Sequence, residues 1–297
     1  MEDSLTYIVE AKYNGQTLQS VLQNEFHFSR KLLRSLKVKD GVYLNGKTGY
    51  YYLRVKTGDT LCVEMSGNEE TSVIPENLPL SLVFENEDFL CVDKPPKIAC
   101  HPVGIYQSGT IANAVCHYYL HQGKTRKFRP AGRLDRNTSG LLLVCKSSFA
   151  QAYYVKCNQL GEVEKIYLAF VEGHLNKPSG CLDFPIDRIE HTSLRRAVMP
   201  GGKSSQTQYQ VIQETKHHSL VRIRLLTGRT HQIRVHFSHI GHPLAGDGLY
   251  GGSEIEMERH ALHCHMLRFP DPRNKGEKIE IISELPLDMQ ELLSKDQ

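Results

Sequence analysis

Two hydrophobic periodicities run along this chain, a helical one near its start and a strand-like one over most of the rest. Leu18, Val21, Leu22 and Phe26 recur at helical spacing. Ser29 then reads as a helix cap, and behind it Leu32, Leu33 and Leu36 form an apolar stripe on a segment whose remaining faces carry Arg30, Lys31 and Arg34. Asp40 with Gly41 and Asn45 with Gly46 are turn signals bracketing a short strand, Val42 to Leu44, and Gly58 with Asp59 opens a last strand, Leu61 to Met65. After a polar stretch followed by Pro75 and Pro79, alternation takes over, with strands expected at Leu80 to Phe84, Phe89 to Val92, Leu141 to Cys145, Lys165 to Val171 and Val221 to Leu225. Helices are expected from Ile111 behind a Thr110 cap, from a Ser148 cap to about Leu160, and from a Thr230 cap through Ile233, Phe237 and Ile240 to Gly241. The resulting plan is a small module over 1–66, a linker over 67–80 and a larger α+β domain over 81–297.

At 297 residues the chain can bury a sizeable core, and a net charge of +3 is too small to name a partner. The distribution of charge says more: from Phe28 to Lys56 there are eight basic residues and one acid, Asp40. That local excess suits a polyanion. The eight cysteines contain no C-x-x-C pair and read as reduced core thiols of a cytoplasmic protein. No stretch approaches the ~20 apolar residues of a membrane span, no signal peptide is expected, and no glycine-rich phosphate loop is present.

Three stretches carry candidate chemistry. In Gly132 to Gly140, Arg133 and Asp135 project to the same side of an extended segment, with Leu134 opposite and the apolar run Leu141 to Val144 behind as a rigid support. Taken alone, this is as readily a surface ion pair. Over Lys165 to Phe170, alternation puts Lys165, Tyr167 and Ala169 on one face, so Tyr167 offers a ring for stacking and a hydroxyl for proton work, or is simply a strand aromatic. In the helix begun at Thr230, His231, Arg234 and Ser238 share a polar face, and Arg234 calls for an anionic partner, for which Asp135 is the candidate. The groups His231, His236, His239, His242 and His260, His263, Cys264, His265 match no structural zinc spacing, so no metal is expected.

Taken together and in order, these stretches resemble the RluA-type family of RNA pseudouridine synthases over nearly the whole chain. The matching pieces are the K-P-P ending at Pro96 with His101 and Pro102, G-R-L-D-x-x-T-S-G-L-L-L at Gly132 to Leu143, and K-x-Y-x-A at Lys165 to Ala169. They continue with L-x-T-G-R-T-H-Q-I-R-V-H at Leu225 to His236, then Gly246, Asp247 and Tyr250, and A-L-H at Ala261 to His263. Gly132 stands where many members have histidine. Residues 14–65 resemble the alpha-L type RNA-binding module of a small-subunit ribosomal protein.

The resemblance implies a mixed, largely antiparallel sheet with an active-site cleft across one face, preceded by a small α+β alpha-L module. It implies that Asp135 is the catalytic carboxylate, attacking the target uridine at its ring or its sugar, that Tyr167 stacks on the uracil and helps remove a proton, and that Arg234 pairs with Asp135. Arg133 would fill the place of the extruded base or touch a phosphate, and Arg136, Thr138, Lys165, Arg229 and His231 are the other substrate-binding positions. Arg30, Lys31 and Arg34 would contact RNA backbone, supplying affinity rather than target choice. Exchanging a carbon–nitrogen for a carbon–carbon glycosidic bond needs neither electrons nor an external group, so no cofactor is expected. The expected partner is structured RNA, ribosomal RNA of the large subunit before transfer RNA, with the protein monomeric and with no metal or membrane. The rival readings are an RNA-binding or chaperone protein that keeps the fold without catalysis, and a hydrolase releasing uracil.

Overall fold

The computed structural model describes residues 4–64, 69–105, 107–190, 193, 195–274 and 276–296. Met65, at the end of the expected last strand of the module, and 66–68, where the expected linker begins, lie outside them.

The N-terminal module contains β1 (Ser4–Ile8), α1 (Leu18–Glu25), α2 (Arg30–Val38), β2 (Val42–Leu44), β3 (Lys47–Thr48) and β4 (Thr60–Glu64). Both helices start at hydroxyl caps. Thr17 accepts from the Ser20 amide and Ser29 from the Leu32 amide, each at 3.2 Å, which satisfies a donor the helix itself leaves unpaired. Leu18, Val21, Leu22, Leu32, Leu33 and Leu36 are buried in one core with Val42, Leu61 and Val63 of the antiparallel sheet, whose order is β1-β4-β2-β3. This packing leaves Arg30, Lys31, Arg34 and Lys37 exposed on α2.

The larger domain follows with β5 (Leu82–Glu85), β6 (Phe89–Lys94), α3 (Ile111–His121), β7 (Ser139–Cys145), α4 (Ser148–Gln159) and β8 (Glu164–Glu172). Next come β9 (Ser179–Asp183), the hairpin β10 (Ile186–Arg188) and β11 (Arg196–Val198), β12 (Gln206–Glu214) and β13 (His218–Leu225). The last elements are α5 (Gln232–His239), β14 (Leu262–Pro270), β15 (Lys278–Ile282) and α6 (Leu287–Lys295). A nine-stranded sheet runs β5-β6-β7-β14-β8-β13-β12-β9, with β15 on the far half of β14. Among the described residues its only parallel pairing is β7 with β14, at Ser139–His263 and Gly140–Cys264. Gly140 has φ +101° there, and a Cβ would run into the Cys264 backbone, so glycine is required where the two antiparallel halves of the sheet meet. All seven residues of β7 are buried, as a strand covered on both faces must be. The fold is thus the mixed, largely antiparallel α+β architecture that the resemblance implies.

Two expected caps move. Ser147, not Ser148, caps α4, accepting from the Ala150 amide at 3.1 Å. Thr230 caps nothing: the residue before α5 is His231, in a left-handed conformation (φ 59°) with no side-chain cap. The start of α5 is organised by Gln232 instead. Its buried amide accepts from the Thr227 hydroxyl and the Arg229 amide and donates to the Gln206 carbonyl and the Thr207 hydroxyl, at 2.9–3.0 Å.

The segment after residue 68 lies against the larger domain. Glu69 grips Arg129 through two oxygens at 2.5 and 2.6 Å, and Asn113 of α3 donates to Ile74 O and accepts from the Glu76 amide through its own carbonyl. The module also docks directly. Phe149 of α4 is fully buried among the module's Phe26 and Phe28, with ring centroids 6.3 and 5.3 Å away, and Arg273 reaches Ser4 O at 2.9 Å.

Candidate active site

The loop between α3 and β7 carries Asp135, and buried groups clasp its backbone on both sides. Cys100 Sγ donates to Leu134 O and accepts from Leu134 N. Lys94, with no exposed surface, donates to Arg136 O at 3.0 Å as well as to Pro95 O and Ile98 O, and burial lowers its ammonium pKa to about 8. Arg259 donates to Asn137 O while a bidentate pair with Asp288 holds it in place. The Thr138 amide closes the turn onto Asp135 O, and the Thr138 hydroxyl is hydrogen-bonded to His260 at 2.8 Å. The Asp135 side chain is left facing the cleft, 28% exposed.

Opposite stands Arg234, on the first turn of α5. Its Nε and one terminal nitrogen donate to the two oxygens of Asp247 at 2.7 Å each, and its other terminal nitrogen donates to Asp135 at 3.2 Å. Its guanidinium lies 4.9 Å from the centre of the Tyr250 ring. The Tyr250 hydroxyl accepts from the Arg196 amide at 3.0 Å and is hydrogen-bonded to Nδ1 of His231 at 2.8 Å. The other ring nitrogen of His231, Nε2, lies 3.7 Å from Asp135. Burial lowers the His231 pKa, so the ring is neutral at neutral pH. The polar face of α5 therefore turns inward onto 247–250, where Ser238 also donates to Tyr250 O.

A cleft of about 770 Å³ opens between these groups. It is lined by Asp135, Tyr167 and Arg234 together with Arg133, Arg136, Thr138, Lys165, Arg229 and His231, so the candidate positions from three distant stretches meet in one place. Arg133, Arg136 and Arg229 are exposed at its rim. Thr138 is buried with its hydroxyl turned to His260, which makes it a support for the loop. Tyr167 is 7% exposed, and burial pushes its phenol well above the usual tyrosine range. A phenol held protonated in this way presents a ring and a donor, and it is poorly suited to take a proton. Lys165 lies beside Gly132 and over the Tyr154 ring at 5.7 Å, its pKa lowered by burial. Arg30, Lys31 and Arg34 lie on α2 and do not line the cleft.

Sequence reasoning assigned no role to Lys94, Asp247, Tyr250 or His260. The signal for Asp247 was available: an arginine on the buried side of a helix demands a carboxylate, and Asp247 sits between glycines in a motif already singled out. Gly228, Arg229 and Thr230 also border a second recess of about 420 Å³ that contains Arg188, Arg196 and Lys203 beside a single carboxylate, Asp187. Among the described residues, no group of His, Cys, Asp and Glu is arranged to hold a metal ion. Nor is any helix there long and apolar enough to cross a membrane.

Residues 88–239 match the family model for RNA pseudouridylate synthase, and residues 5–61 match the model for the N-terminal domain of the ribosomal pseudouridine synthase RluD. The chain is 35% identical over 290 residues to an uncharacterized RNA pseudouridine synthase of Bacillus subtilis (strain 168), covering 97% of this chain and 96% of that one. It is 35% identical over 305 residues to ribosomal large subunit pseudouridine synthase D of Escherichia coli (strain K12), covering 97% and 93%. Among solved structures, human RNA Pseudouridylate Synthase Domain Containing 1 matches with a TM-score of 0.58 at 27% identity, over 76% of this chain and 96% of that one. With a family model covering half of the chain and nearly all of the cleft lining, and relatives matched over 97% of the chain, this chain belongs to the RNA pseudouridine synthase family, whose members isomerise uridine in RNA to pseudouridine.

Proposed function

We propose that this protein modifies uridines of large-subunit ribosomal RNA in the cytoplasm, acting as a monomer with Asp135 as its nucleophile. One observation carries the assignment of Asp135. It is a carboxylate exposed to a cleft, and a fixed guanidinium on one side leaves its remaining lone pairs facing the space a base would enter. Its attack at the uracil ring or at the sugar carbon breaks the carbon–nitrogen glycosidic bond. The base then turns and bonds to the sugar through carbon 5, that carbon loses its proton to solvent while N1, freed from the sugar, takes one up, and the carboxylate is released unchanged. Entry to the cleft requires the uridine to leave its stack, at a cost of a few kcal/mol, and the Tyr167 ring and the rim arginines supply contacts that offset it. All of these groups come from one chain, so no second copy is needed to complete the site.

The ribosomal assignment is supported by the Escherichia coli relative, a ribosomal large subunit pseudouridine synthase, and by the basic α2 surface, which adds backbone affinity suited to a large structured RNA. In the recess beside the cleft, Arg188, Arg196 and Lys203 offer positive charge to phosphates flanking the target nucleotide. The test is incubation of wild type and Asp135→Asn with ribosomal and transfer RNA tritiated at carbon 5 of uridine, followed by nucleoside analysis. Tritium release from large-subunit ribosomal RNA by the wild type alone, with pseudouridine as product, is the expected result. Release from transfer RNA only would move the substrate. Free uracil would make the protein a hydrolase, and equal behaviour of the two proteins would remove Asp135 from the chemistry.

A further inference from the structure

We propose that Tyr50 and Tyr52 form a platform on which an unpaired base of the RNA stacks. The N-terminal module would then recognise single-stranded nucleotides as well as backbone charge; this rests on RNA being the partner.

Tyr50, Tyr51 and Tyr52 occupy one turn between β3 and β4, and the turn is rigid. It closes through the Leu53 amide on Tyr50 O at 3.0 Å. The start of α1 pins it further, with the Leu18 amide on Leu53 O at 2.8 Å and the Gln19 amide on Tyr51 O at 3.1 Å. Tyr51 points inward, where its hydroxyl donates to Leu33 O of α2 at 2.5 Å and ties the turn to the basic helix. Its two neighbours point outward, 55% and 73% exposed, with ring centroids 5.7 Å apart and planes 11° from parallel. Among the described residues neither ring meets a third aromatic, and neither hydroxyl has a hydrogen-bond partner. Single exposed aromatics are ordinary on a protein surface, but two stacked and fixed in place present a flat apolar face that calls for an occupant.

Charge decides which occupant. The turn lies within the segment that holds eight basic residues and one acid, and among the described residues none of those eight forms an ion pair. Arg54, two positions beyond Tyr52, donates only to the Gly15 carbonyl. An excess of positive charge interleaved in sequence with exposed aromatic rings is the arrangement that binds single-stranded nucleic acid, the cations following the phosphates while the rings take the bases. The 5.7 Å spacing leaves no slot between the rings, so the base continues the stack on an outer face. A base already paired inside a duplex cannot do so.

The experiment measures affinity of the full chain for a single-stranded uridine-rich oligoribonucleotide and for the same sequence as a duplex, over a range of salt. Tyr50→Ala and Tyr52→Ala are each expected to weaken single-strand binding on the order of tenfold, with duplex affinity and the salt slope unchanged, because no cation is removed. Tyr50→Phe and Tyr52→Phe should retain affinity, since the ring and not the hydroxyl makes the contact. With no tryptophan in the chain, emission comes from its fourteen tyrosines, and the part of it quenched by the single strand should shrink in Tyr50→Ala and Tyr52→Ala. Equal losses on both probes, an altered salt slope, loss in the Phe variants, or unchanged binding would each overturn the platform. So would weakened binding to assembled ribosomal particles with binding to naked RNA intact, which would assign the face to a protein. Binding is read without turnover, so failure of the proposed substrate leaves this test standing.

Discussion

Arg234 gives two of its nitrogens to Asp247 at 2.7 Å and only the third to Asp135, at 3.2 Å. The buried carboxylate fixes the guanidinium, and the guanidinium in turn orients the exposed carboxylate. Asp135 therefore has a rigid partner without being the group that neutralises it.

Asp247→Asn should accordingly lower turnover on the order of a hundredfold while leaving RNA affinity nearly unchanged, since Asp247 does not line the cleft. Asp247→Ala should also destabilise the fold by ~3–5 kcal/mol, because it leaves a buried guanidinium without its main partner. Single-turnover rates, binding isotherms and thermal melts separate the two effects, and a loss confined to affinity would contradict the positioning role.

His260 sets an acid limit. Burial, then the nearby charges of Arg234 and Arg259, hold its pKa well below 6.5 in the folded chain, while the unfolded chain retains the ordinary value. Between those two values the unfolded state binds a proton that the folded state does not, so stability falls as pH drops below about 6.5, by up to about 1.4 kcal/mol per pH unit for this one group. His260→Gln should reduce the protons taken up on unfolding, by an amount that approaches one towards pH 5 and shrinks towards pH 7, as measured by melts over that range. An unchanged slope would place the proton elsewhere.

Phe149 joins the two parts of the molecule. Phe149→Ala should cost ~3–5 kcal/mol and let the N-terminal module come away, seen as a second thermal transition and earlier proteolytic release of the module. For the same reason, removing the module outright would uncover an apolar residue of α4. Substitutions within the module are the cleaner probe of its role.

Arg30→Gln, Lys31→Gln and Arg34→Gln remove exposed cations without touching the core of α2. Each that contacts a phosphate should lower the slope of log affinity against log salt by about 0.7–0.9 and weaken binding to all RNA sequences alike, measured by titration at several salt concentrations. Loss on one sequence alone would mean base contacts instead.

Periodicity was enough to find α1, α2, α3, β7 and the alternation of β8, because each rests on local spacing and burial. The order of motifs along the chain was enough to bring Asp135, Tyr167 and Arg234 under one family. Tertiary structure decided the partnerships. Arg234 prefers Asp247 because that carboxylate is buried beside it, while Asp135 keeps one face in the cleft. His231 takes a left-handed conformation, and Gln232 replaces the expected cap, because the amide meets β12 across the fold. Thr138 turns from the cleft to His260, 122 positions away. Local sequence specifies what each segment can form and which groups it offers. Which charge answers which, and how deeply a phenol or an imidazole is buried, depends on contacts between segments far apart in the chain, and spacing carries no record of those.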